Sequence, residues 1–120
     1  MNRIITTIFS VAFFVVATTA AYAKTSTEHY IFHYETGDIY DFQITENSAT
    51  WKGLEGSDKG QSETDYIKRK TLSNDMEVIQ WKEMNGTFVT LVLDRAHLSI
   101  VSSGITSDGD WLMSGNATIN

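Results

Sequence analysis

The chain of 120 residues has no cysteine and no proline. Without cysteine there can be no disulfide framework, no thiolate nucleophile and no thiolate metal site. A lipid-anchored lipoprotein is excluded as well, because its anchor is a cysteine behind the leader. Without proline, no strand pattern is interrupted by a residue that cannot donate to a ladder. A long helical period is also missing beyond residue 24. Basic charge is sparse: nine Lys and Arg face fifteen Asp and Glu, for a formal net charge of −6. Such a balance repels nucleic acid and anionic lipid. The one basic cluster, Lys68-Arg69-Lys70, reads as a solvated strand end. There is no Gly-x-Ser-x-Gly elbow, phosphate loop or dinucleotide fingerprint. Of three histidines, His29 and His33 share a strand face and His97 lies elsewhere, too few to converge on a metal. Gly104–Asp110 is acidic but lacks the spacing of a calcium loop. Neither a metal nor a cofactor is expected.

What is present begins with a leader. Met1-Asn2-Arg3 is a short positive segment, Ile4–Thr19 is apolar apart from Thr and Ser, and Ala21-Tyr22-Ala23 has the small-x-small cleavage pattern. Residues 1–23 therefore read as a secretory signal-peptide helix, cleaved before Lys24. The expected location is exported, in a bacterial periplasm or medium, with no membrane contact after cleavage. Residues 24–120 form one domain with a single core. Loss of Arg3 takes its charge to −7, since every carboxylate lies beyond residue 23.

This domain alternates at the strand period. His29–Glu35 and Asp38–Thr45 make a hairpin about Thr36-Gly37. Ala49–Gly53, Gln61–Leu72, Met76–Glu83, Thr87–Asp94, His97–Ser102 and Trp111–Ile119 follow. Turn chemistry separates them, including Asn85-Gly86 and a break at Ser103-Gly104. About eight short, evenly spaced strands predict an all-β fold, an antiparallel up-and-down barrel. A barrel of that size is filled by side chains or holds one small ligand.

Phase then assigns the interior. Tyr30, Phe32 and Tyr34 share one face of the first strand, and Tyr40, Phe42 and Ile44 share one face of the second. Thr87–Asp94 is apolar on both faces and reads as buried on both. Placing Trp81 inside carries Glu83 inside too. Two readings of Glu83 stand: a desolvated inward carboxylate with a raised pKa, or a strand-end group that reaches water.

Two segments carry a resemblance. Tyr30–Tyr40 is similar to the opening hairpin of bacterial phenolic acid decarboxylases. Trp81–Leu91 (Trp-Lys-Glu-Met-Asn-Gly-Thr-Phe-Val-Thr-Leu) is similar to their Trp-x-Glu-x-x-Gly-Thr-x-Val-Ser-Leu hairpin. Gly56 and Gly60 fall where that family has a Gly-x-x-x-Gly loop. The related MoaF-like proteins share the pattern and fit the chain length better. The resemblance implies a calycin-like, lipocalin-related barrel, no cofactor, and, by analogy with the decarboxylases, a homodimer. It also implies a pocket with two tyrosines, an arginine and a proton-handling glutamate. Tyr34 and Glu83 match two of these positions. Phe32 stands at the other tyrosine position and Gln61 at the arginine, which points away from decarboxylation.

Three functions fit. One is a binder of a small aromatic or amphipathic ligand, lined by Tyr30, Phe32, Tyr34, Tyr40, Trp51, Gln61, Trp81 and Glu83. Another is a cofactor-independent enzyme on the same barrel, with Glu83 as general acid or base and Tyr34 as its partner. The third is a periplasmic interaction or inhibitor module with a filled core.

Overall fold

The computed structural model describes residues 26–120. The leader read over residues 1–23 lies outside them. Eight strands run in chain order: β1 (Glu28–Tyr34), β2 (Ile39–Ile44), β3 (Ser48–Glu55), β4 (Ser62–Thr71), β5 (Met76–Lys82), β6 (Phe88–Asp94), β7 (Ser99–Thr106) and β8 (Gly109–Ile119). Each pairs antiparallel with the next, and β8 returns to β1 to close the barrel. Closure leaves no free sheet edge.

The aromatic alternation of the first hairpin points inward as its phase predicts. Tyr30, Phe32, Tyr34, Phe42 and Ile44 are all buried, and Tyr30 opposes Phe42 while Phe32 opposes Tyr40 across the ladder. Ile79, Trp81, Val89, Leu91, Leu93 and Ile100 complete the core. β6 differs from expectation. Its inward face is buried, but Phe88 is 39% exposed, because a single-layered barrel has nothing packed on its outside.

β4 departs furthest from a sequence reading. Of its two apolar residues, Ile67 turns inward but Tyr66 points out and is 88% exposed. Glu63, Asp65, Ile67 and Arg69 form the alternating set that is withdrawn from solvent. The Lys68-Arg69-Lys70 run is a solvated end only in part: Lys68 and Lys70 are exposed, but Arg69 turns into the barrel and bonds Glu77.

Two glycines serve close packing. Gly104 was expected to break the chain, yet β7 continues through it to Thr106. A Cβ at Gly104 would overlap the Trp111 ring, so the glycine makes room for an indole inside a regular strand. Gly115 sits on the closing seam opposite Tyr34, where a Cβ would overlap the His33 carbonyl. Backbone cannot yield as a side-chain tip can. Gly115→Ala is expected to lower the unfolding free energy by about 1–3 kcal/mol in urea denaturation. An unchanged midpoint would show that the seam tolerates a methyl group.

Candidate functional site

The two ends of the barrel are built differently. At one end lie the β2–β3, β4–β5 and β6–β7 turns, together with the start of β1. Four charged side chains meet there. Arg95 binds Glu28 through Nε (2.8 Å) and Nη2 (2.9 Å), and its Nη2 also reaches Glu77 at 2.7 Å. Arg69 donates to both oxygens of Glu77 and, through Nη1, to the Thr45 carbonyl at 2.9 Å. The Tyr30 hydroxyl donates to Glu28. Burial acts to raise the Glu28 and Glu77 carboxyls, but the arginines outweigh it and hold both below the ordinary range. This end is plugged by a charge-neutral network of two arginines and two glutamates.

The other end, at the β1–β2, β3–β4, β5–β6 and β7–β8 connections, opens into a cavity of about 630 Å³. That volume suits a small organic ligand. All eight strands contribute side chains to its walls. Of the residues expected from sequence, Phe32, Tyr34, Tyr40, Trp51, Gln61, Trp81 and Glu83 all line it. Tyr30 does not: it belongs to the plug, one inward step beyond Phe32, with its hydroxyl committed to Glu28. The rings form a continuous set of contacts. Tyr40 meets Trp51 edge-on at 5.9 Å and Tyr34 edge-on at 5.9 Å, while Phe32 stacks on Phe42 at 4.7 Å. These are favourable geometries for aromatic pairs.

The polar groups of the wall are less even. The Tyr34 hydroxyl lies 2.6 Å from Ser102 Oγ. Burial pushes this phenol up to about 12, against the Ser102 bond, with Asp38 adding. Tyr40 donates to Asp58 at 2.6 Å, and its phenol is raised by burial and by that carboxylate. Glu83 accepts from the Trp81 indole at 3.2 Å. Its carboxyl is raised by burial, opposed by the indole bond, and raised further by Glu63 and Asp58. Both readings of Glu83 are therefore partly right. It lies just past β5, half-buried, and it lines the cavity.

Sequence reasoning missed Ser102, Asp38, Asp58, Glu63, Asp65 and Trp111. Tyr34 and Ser102 are separated by 68 positions, and no local pattern joins them. The β4 carboxylates carried no apolar alternation to mark an inward face. Asp65 is the most unusual. It is 8% exposed, and among the described residues its Oδ2 has no hydrogen-bond partner. Burial first, then the neighbouring Glu63 and Glu83 carboxylates, push it up to about 7. The Trp51 indole lies beside it, yet Nε1 is likewise without a partner.

Tyr34→Phe leaves the Ser102 hydroxyl buried without its partner, and is expected to cost about 1–3 kcal/mol of stability. Adding Ser102→Ala removes both polar groups and is expected to recover most of that loss. No recovery in the double variant would mean that the pair does not act as a unit.

A family profile described as MoaF-like matches residues 26–118. No curated protein matches the chain. Among solved structures, a Burkholderia vietnamiensis crystal structure, given provisionally as a beta-lactamase, superposes with a TM-score of 0.73. It is 14% identical over 78% of this chain and 92% of its own. At that identity the likeness is one of fold alone.

Proposed function

The chain belongs to the MoaF-like family, and on that premise we propose that it is an exported binder of a small aromatic or amphipathic ligand held in the open end of the barrel. The observation that carries this reading is the aromatic-walled cavity of about 630 Å³. A filled interior would have favoured an interaction module instead. The leader pattern over residues 1–23 supports export. Apolar walls supply affinity, and a few polar tips at Tyr34, Tyr40, Gln61 and Glu83 supply orientation. Thermal unfolding with a panel of aromatic and amphipathic compounds tests it. A ligand at one hundred times its Kd stabilises the folded state by about 2.7 kcal/mol. In a domain of this size that raises Tm by roughly ten degrees or more. No shift from any compound would contradict the reading.

The raised carboxyl of Glu83 supports a second reading, an enzyme that transfers a proton at the cavity. Its expected partner, the Tyr34 hydroxyl, is instead engaged with Ser102. Under this reading Glu83→Gln abolishes turnover while ligand binding survives. Turnover that persists in the variant would exclude it.

A further inference from the structure

We propose that the ligand of this cavity is an organic cation, an aromatic or amphipathic molecule with an ammonium or amidinium group. Its apolar part lies against the rings. Its charged end sits among Asp58, Glu63 and Glu83 at the mouth, above Asp65. This rests on the ligand-binding reading and names the ligand class for the same site.

The first argument is the sign of the charge. Asp38, Asp58, Glu63 and Glu83 line the cavity, and among the described residues no lysine, arginine or histidine does. Among the described residues, none of these four is in an ion pair. The two arginines of the interior are committed to Glu28 and Glu77 at the plugged end. Half-buried carboxylates crowded together repel one another more strongly than they would in water. A cation entering the mouth relieves that repulsion, whereas an anion adds to it.

The second argument is the environment of Asp65, which lies beneath the mouth and does not itself line the cavity. Asp65 is more than nine-tenths buried on the inward face of β4, one inward position deeper than Glu63, and among the described residues its Oδ2 has no hydrogen-bond partner. Buried polar atoms are normally partnered, and once ionised at pH 8 this carboxylate adds uncompensated negative charge beside Glu63 and Glu83, which a cation at the mouth offsets. The walls add a third element. The rings of Tyr40, Trp51, Trp81 and Trp111 surround the same space, and aromatic faces attract ammonium and guanidinium groups. A metal ion is a poorer fit. Among the described residues no group of three or more His, Asp or Glu is placed to hold one.

The test is calorimetric titration of the protein with three ligands of one shape at pH 8. These are 2-(naphthalen-2-yl)ethylammonium, 2-(naphthalen-2-yl)ethanol and 3-(naphthalen-2-yl)propanoate. The ammonium is expected to bind at least tenfold more tightly than the alcohol, and the carboxylate most weakly. Asp58→Asn and Glu83→Gln are each expected to shrink the ammonium–alcohol ratio severalfold, whatever each does to alcohol binding itself. A cooperative thermal unfolding transition shows that the variants fold, and a ratio unchanged in both folded variants overturns the assignment of the charged end. Ammonium affinity is expected to rise from pH 5 to pH 8, with alcohol affinity flat. The groups facing Asp65 and Glu83 across this range are Glu63, Asp58 and the Trp51 and Trp81 indoles. Equal binding of all three ligands, or a preference for the carboxylate, overturns the cationic assignment and leaves the binding reading standing. No binding by any of the three overturns both.

Discussion

At pH 8, Asp65→Asn is expected to raise the unfolding free energy by on the order of 2 kcal/mol, while weakening the binding of organic cations. The parent carboxyl titrates near 7 in the folded protein and at about 3.8 when exposed. Its folded pKa is raised, so the folded state holds a proton that the unfolded state has released. Stability therefore falls as pH climbs from about 4 to about 7, and the penalty is fully present above 7. Asparagine carries no charge in either state and removes the penalty. The gain should shrink as pH is lowered and vanish below about 3.8, where the acid is protonated in both states. Urea midpoints of the two proteins at pH 4, 6 and 8 measure this directly. A variant less stable than the parent at pH 8 would mean that Asp65 is held by interactions it does not display. A substitution that stabilises the fold but weakens binding marks a group kept for function.

Glu77→Ala carries the largest expected loss, about 3–5 kcal/mol, because it removes the buried carboxylate that pairs two partly buried guanidinium groups. Glu77 is 5% exposed and bridges Arg69 and Arg95. Its removal leaves two guanidinium groups with Glu28 alone. The pH sign is opposite to that of Asp65. Both Glu28 and Glu77 are held below the ordinary value of 4.5, so their stabilisation is present above that value and is lost as pH falls through the folded pKa. The parent is thus expected to be most stable in mildly acid solution, between the acid loss of the plug and the alkaline penalty at Asp65. Chemical denaturation of the Ala variant measures the loss. A change under about 1 kcal/mol would mean that the four-residue network is not what holds that end of the barrel.

The aromatic hairpin was legible in the sequence because its inward residues are apolar and alternate with polar ones, so phase alone aimed Phe32, Tyr34 and Phe42 correctly. β5 and β6 were legible for the same reason. Where the interior is polar, that signal fails. β4 turns Glu63, Asp65 and Arg69 inward together with Ile67, and Tyr66 outward, so its two neighbouring apolar residues cue opposite faces. Tyr30 shared its phase with the pocket residues, but phase fixes a face and says nothing of depth. Depth depended on Glu28, Arg69 and Arg95, which meet across up to 67 positions. Gly104 read as punctuation because a glycine that opens a turn and one that admits a tryptophan ring look alike in one dimension. Glu83 was ambiguous because the strand ends beside it, at the rim.

All three tryptophans of the chain, Trp51, Trp81 and Trp111, line the cavity, so their indole N–H resonances report on it and on little else. The most direct test follows these three signals by NMR at pH 8 during titration with 2-(naphthalen-2-yl)ethylammonium. Saturable shifts of all three, largest at the unpartnered Trp51 Nε1–H, are predicted for a ligand seated in the open end of the barrel. Three indole signals that stay in place while the ligand binds elsewhere, or fails to bind, would contradict it.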